Sequence, residues 1–153
     1  MTWAEYKTQA MRTANGDLDK KKALRYCLFK LAGEVGEVAD AYGKYLGQGH
    51  SKEWLKDKLT EELGDVYWYL AYYEALTGKG MCYARPHTGH IEHLIEELIT
   101  GAHRMLSFRD DWGMPNTCGK ICEVIDVTKE EIWQRNIEKL RHRYPEGFDP
   151  ERS

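Results

Sequence analysis

Two long runs of apolar residues spaced three and four apart constrain this chain more than any other feature. The first is Leu24, Cys27, Leu28, Leu31, Val35, Val38, Ala39, Tyr42 and Leu46. The second is Trp54, Leu55, Leu59, Leu63, Val66, Tyr67, Leu70 and Tyr73. That period puts one face of a helix into a core. It predicts helices over about 20–46 and 52–76, stopped by "GQGH" and "TGKG". The linker is short, so the pair is expected to pack antiparallel.

The same logic predicts a helix over about 2–14, ended by "NGD", and an amphipathic one over about 90–108 through Ile91, Leu94, Ile95, Leu98, Ile99, Ala102, Met105 and Leu106. A turn is expected at "DDWGMPNTCG" and a short helical segment at "KICEVID". The last helix spans about 128–144, where Thr128 followed by Glu131 forms a capping box. No strand-like alternation of useful length and no internal repeat occur, so the expectation is an all-α bundle of about five to six helices in one domain over 1–153.

A chain of 153 residues can bury a real core. A net charge of −3 gives no global field for nucleic acid or anionic lipid, so neither is an expected partner. No run of about 18 apolar residues occurs, and "MTWAEYKTQAMRTANGD" lacks a signal peptide's apolar stretch. A cytoplasmic location with Cys27, Cys82, Cys118 and Cys122 reduced is expected.

Each long helix carries an acidic pair three residues apart, "EVGEVAD" at 34–40 and "EELGDVY" at 61–67. Glu34 and Glu37 are neighbours on one helix face, with Ala41 and Lys44 continuing the row. Glu62 and Asp65 are neighbours on the next, with Tyr69 one turn on and Glu61 bordering. Solvated helix faces collect acids too, but they usually mix them with bases. Four carboxylates brought together repel one another unless a cation joins them. Mg²⁺ takes oxygen ligands, keeps waters and shares its shell with phosphates, and Mn²⁺ is able to substitute. Glu34, Glu37, Glu62 and Asp65 are thus the expected metal ligands. Gly33, Gly36 and Gly64 beside them suggest a need for close approach. A di-iron bundle would want Glu-x-x-His, which neither pair supplies.

"LAGEVGEVADAYGKYL" followed by "KLTEELGDVYWYL" resembles the MazG-like, all-α nucleoside triphosphate pyrophosphohydrolase superfamily, marked by Glu-x-x-Glu, a gap, then Glu-x-x-Asp. Here 24 residues lie between Glu37 and Glu62. "EEIWQRNIEKLRHRYPEGF" looks like the family's closing helix. The likeness covers about 5–77 and 117–150.

The resemblance implies a bundle that dimerises, or forms a dimer of dimers, with sites built partly at the subunit contact. It implies Mg²⁺-dependent hydrolysis of a (d)NTP to a (d)NMP and pyrophosphate, as a house-cleaning or pool-shaping enzyme. One of the four acids, or Glu61, would activate the attacking water. Asn136, Lys139 and Arg143 share a stripe of the last helix and would meet phosphate or ribose, with Tyr144 close by. Tyr69 would stack on or hydrogen-bond the nucleotide, and Lys44 would reach phosphate. The preferred base, a (p)ppGpp-type alarmone as substrate, and the number of metal ions stay open. The alternative is a module that binds nucleotide without hydrolysis.

About forty residues, 78–117, separate the second acidic helix from the closing one, where the family's short form has almost none. This insert can cover the bundle, extend a subunit contact or close over the pocket. Cys82, His87, His90, His93 and His103, with Cys118 and Cys122 just beyond, make zinc a minor alternative there. Trp54, Trp68, Trp112 and Trp133 are expected in core or interface, with one able to stack on a base.

Overall fold

A computed structural model describes residues 1–80, 89–110 and 113–152. Among them are six α-helices, no strand and two short 3₁₀ turns. They are α1 (Trp3–Ala10), α2 (Lys20–Gly47), α3 (Lys52–Thr77), α4 (Ile91–Phe108), α5 (Met114–Val124) and α6 (Lys129–Arg143). The fold is all-α.

Local chemistry sets the ends. Asp19 accepts from Lys22 N and starts α2, and Ser51 accepts from Trp54 N and starts α3. Thr2 with Glu5 and Thr128 with Glu131 form reciprocal capping boxes at α1 and α6. Between α2 and α3 the chain reverses through Gly49 at φ 72°, and Gly78 ends α3 in the left-handed region at φ 67°.

Three expectations need correction. The first helix ends at Ala10 and tightens into a 3₁₀ turn over Met11–Thr13. Thr13 Oγ1 donates to Ala10 O there, and Trp68 Nε1 on α3 donates to both Ala10 O and Thr13 Oγ1, which clamps the turn. The predicted turn at "DDWGMPNTCG" already contains the start of α5. Pro115 sits in its first turn, where its missing N–H costs nothing. Leu46 and Ile99 lie on the solvent side of their stripes, 62% and 47% exposed.

The centre of the bundle is α3, which buries residues from Leu55 to Tyr73 on nearly all sides. It packs against α2, α6, α1 and α5, and one hydrophobic cluster joins all six helices. Fully buried Leu28, Leu31, Leu59, Leu63 and Leu70 fill the α2–α3 seam and its surroundings. Burying a side chain of that size is worth roughly 1.5–3 kcal/mol. Polar bonds fix α1 on α3: Glu74 takes Trp3 Nε1 at 2.8 Å and Lys7 Nζ at 2.6 Å.

The inserted helix α4 lies against α2 and α5. Tyr42 donates to Glu92 at 3.0 Å, and Tyr73 donates to Arg109 O at 2.9 Å. Gly101 lets α4 meet α5, since a Cβ there would fall on the buried Met114 side chain. By contrast, nothing lies within 4 Å of a Cβ built on Gly33 or Gly36, so no close approach explains those two. Among the described residues, no helix is long and apolar enough to cross a membrane.

Gly101→Ala is expected to destabilise the protein by about 1–3 kcal/mol through overpacking at Met114. Gly33→Ala and Gly36→Ala, each in open helix, are expected to stabilise it by roughly 0.5–1 kcal/mol. Urea unfolding of the three variants checks both signs.

Candidate metal centre

Glu34 on α2 and Glu62 and Asp65 on α3 converge. Each offers a carboxylate oxygen, and these oxygens lie within 4.8 Å of one another. All three side chains are half-buried. The antiparallel α2–α3 pair makes this possible, because the turn at 48–51 brings the two acidic rows back past each other.

Glu37 and Lys44 stand apart from this group. Glu37 is exposed, one turn beyond Glu34, and is not among the three acids that meet. Lys44 is also exposed and pairs with Asp40 at 2.5 Å on its own helix. The row that continues from Glu34 toward the site runs the other way. Lys30 Nζ lies 3.3 Å from Glu34, and Tyr26 follows one turn earlier. The expected continuation through Ala41 is instead core, with Ala41 only 4% exposed.

The closing helix α6 delivers its stripe to Asp65. Lys139 Nζ donates to Asp65 Oδ2 at 2.6 Å and lies 3.8 Å from Glu61. Asn136 Nδ2 donates to Asp65 Oδ1 at 3.1 Å, and Tyr6 donates its hydroxyl to Asn136 Oδ1 at 2.9 Å. Both Asp65 oxygens are therefore occupied. Asn136 is 3% exposed, with its amide engaged by Asp65 and Tyr6. Gly64 is where a glycine is needed for close approach. A Cβ there would stand 3.1 Å from Asn136 Cβ and Nδ2.

Burial, and then the charge of Asp65, push the Glu34 carboxyl above its ordinary value, while Lys30 pulls it partly back. Burial, Glu61 and Asp65 push Glu62 up in the same way. Glu61 is held below its usual value by its hydrogen bond from Lys58, helped by Lys139. Burial and Asp65 raise the Tyr6 hydroxyl well above the usual phenol range, so it keeps its proton to donate.

A cavity of about 440 Å³ opens beside these acids. Glu34 and Asp65 line it together with Tyr26, Lys30, Trp68, Tyr69, Arg143, Tyr144 and Phe148. Tyr69 is buried, with its hydroxyl 3.5 Å from that of Tyr26, its ring edge-on to Trp68 and Lys30 over its face at 5.9 Å. The Arg143 guanidinium lies 5.7 Å from the Tyr144 ring. Lys139 stays with the acids and does not line the cavity. None of the described residues of the 78–117 insert lines it either, so α4 covers the α2 flank and leaves the pocket to the rest of the bundle.

The donor set suits a hard divalent cation. It consists of carboxylate oxygens with no thiolate or imidazole, and oxygens on opposite sides of a Mg²⁺ lie about 4.2 Å apart. For zinc, Cys82 and His87 lie outside the described residues, as does Trp112. His90, His93 and His103 are exposed, with His93 beside Glu96. Cys118 and Cys122 are buried in α5. Among the described residues, the three acids are the only such ligand group.

The chain is similar to the Gene 37 protein of Mycobacterium phage L5, with 41% identity over 58 residues. The match covers 37% of this chain and 51% of the phage protein, about half its length. No protein-family model matches the chain, and no solved structure gives a significant match.

Because Glu62 titrates above its usual 4.5 when folded, the folded state holds that proton more tightly than the unfolded chain does. Below the unfolded value the group costs nothing, and as pH rises through the folded value it takes stability away. Glu62→Gln without divalent cation is therefore expected to melt above wild type at about pH 7.5 and to converge with it near pH 4. Millimolar Mg²⁺ is expected to raise the melting temperature of wild type and leave that of the variant nearly unchanged, as read by calorimetry.

Proposed function

We propose that the protein is a divalent-cation-dependent nucleoside triphosphate pyrophosphohydrolase, cleaving between the α and β phosphates. The observation that carries this reading is the meeting of Glu34, Glu62 and Asp65 beside a cavity that Glu34 and Asp65 line together with Trp68, Tyr69, Phe148, Lys30 and Arg143. The order of the motifs, Glu-x-x-Glu, then Glu-x-x-Asp, then the Asn136–Lys139–Arg143 stripe, supports it independently.

Glu34, Glu62 and Asp65 would hold Mg²⁺ or Mn²⁺. Bound there, the cation supplies positive charge against the phosphate oxygens and makes water more acidic. Trp68 offers a ring to stack on a base, while its indole N–H is already spent on Ala10 and Thr13. Lys30 and Arg143 line the cavity and would meet phosphates, Arg143 through a two-pronged contact. Glu61, which shares Lys139 with Asp65, is the neighbouring carboxylate that would orient or deprotonate water. We further propose a homodimer or dimer of dimers, as the resemblance implies.

Incubation of the protein and Mg²⁺ with a panel of common and damaged dNTPs is expected to release pyrophosphate and not orthophosphate. Asp65→Asn is expected to lower the rate at least about 100-fold, the scale of losing a main charge-stabilising group. Orthophosphate as first product, or no turnover of any nucleotide by folded protein in Mg²⁺ or Mn²⁺, overturns the proposal. Thermal stabilisation by Mg²⁺ with nucleotide, and no product, identifies a binding module instead.

A further inference from the structure

We infer that Tyr6, on the first helix, is a positioning residue for the metal centre, acting on Asp65 through the Asn136 amide. The inference rests on reading the three-acid group as a cation site. Tyr6 is fully buried and touches none of the three acids through a hydrogen bond of its own. Its hydroxyl donates to Asn136 Oδ1 at 2.9 Å, and Asn136 Nδ2 donates to Asp65 Oδ1 at 3.1 Å.

An amide can sit either way round in such a slot. Reversed, Asn136 would aim its oxygen at a carboxylate and its NH₂ at a hydroxyl that can donate. The Tyr6 proton fixes the productive orientation from one end, as the Asp65 charge does from the other. With Asn136 locked on Oδ1, Asp65 would keep its rotamer if a cation took the place of Lys139 at the carboxylate. Partners of this kind behind a metal ligand typically matter about 10–100-fold in metal affinity.

The packing serves the same end. Gly64 O lies 3.4 Å from the Tyr6 hydroxyl, and the missing Gly64 side chain admits Asn136. The Tyr6 ring is held between Trp3 at 5.4 Å and Trp133 at 5.6 Å. Tyr6→Phe therefore removes the proton donor and keeps the ring. A merely structural tyrosine would change stability and leave cation affinity alone.

The test measures Mn²⁺ affinity by electron paramagnetic resonance on the full chain, together with the Asn136 side-chain amide resonances of the metal-free protein. Tyr6→Phe is expected to fold, to weaken Mn²⁺ binding about tenfold and to shift the Asn136 amide signals. Tyr67→Phe, at a buried hydroxyl beside the Cys122 thiol, is expected to change neither. Asn136→Ala is expected to weaken binding at least as much as Tyr6→Phe, and adding Tyr6→Phe to it should cost nothing more. Mn²⁺ binding by Tyr6→Phe within about twofold of wild type, or full additivity with Asn136→Ala, overturns the inference. Wild-type protein that binds no Mn²⁺ overturns the cation site itself. Asn136 amide signals unmoved by Tyr6→Phe overturn the relay separately.

Discussion

Three half-buried carboxylates within reach of one another are the constraint around which this bundle is organised. Like charges at that spacing oppose folding unless something neutralises them. Lys139 does so directly at Asp65 and Lys30 does so at Glu34, while burial first, and then the neighbouring acids, displace Glu34 and Glu62 upward. Removing an uncompensated charge from a structure usually relaxes it, so a site of this kind persists only where packing over-determines the backbone. The α2–α3 seam supplies that packing, with fully buried leucines on either side of the acids.

The helical frame was largely readable in the order of residues. Spacing of three and four located α2, α3, α4 and α6 to within a residue or two, because caps such as Ser51 and Thr128 and stops such as Gly78 act locally. Where the reading missed, the cause was tertiary. The α1 terminus depends on an indole from α3 reaching Ala10 and Thr13, and the exposure of Leu46 and Ile99 depends on what packs opposite each helix, which spacing alone does not give. The start of α5 was hidden by Gly and Pro, which mark turns and helix starts alike.

The acidic centre was legible as residue types and partly legible as geometry. Glu34, Glu62 and Asp65 meet, whereas Glu37 and Lys44 follow the helix around toward solvent. Counting backward from Glu34 by fours would have found Lys30 and Tyr26, the members of that face that reach the cavity. Asn136, Lys139 and Arg143 share a stripe as spacing requires, but only the packing of α6 on α3 assigns them different tasks: Asn136 and Lys139 to Asp65, Arg143 to the cavity wall. Nothing in the local sequence around Tyr6 signals its bond to Asn136, 130 positions away.

The central burial of α3 has a consequence for motion. Its middle turns are shielded by four other helices, so their amides are expected to exchange with solvent only when the whole bundle opens. Glu62 and Asp65 ride on this slowest-exchanging core, while Lys30 and Arg143 stand on outward faces of α2 and α6. The basic side chains on the cleft wall can therefore adjust on fast side-chain timescales around two acids carried on the most buried helix.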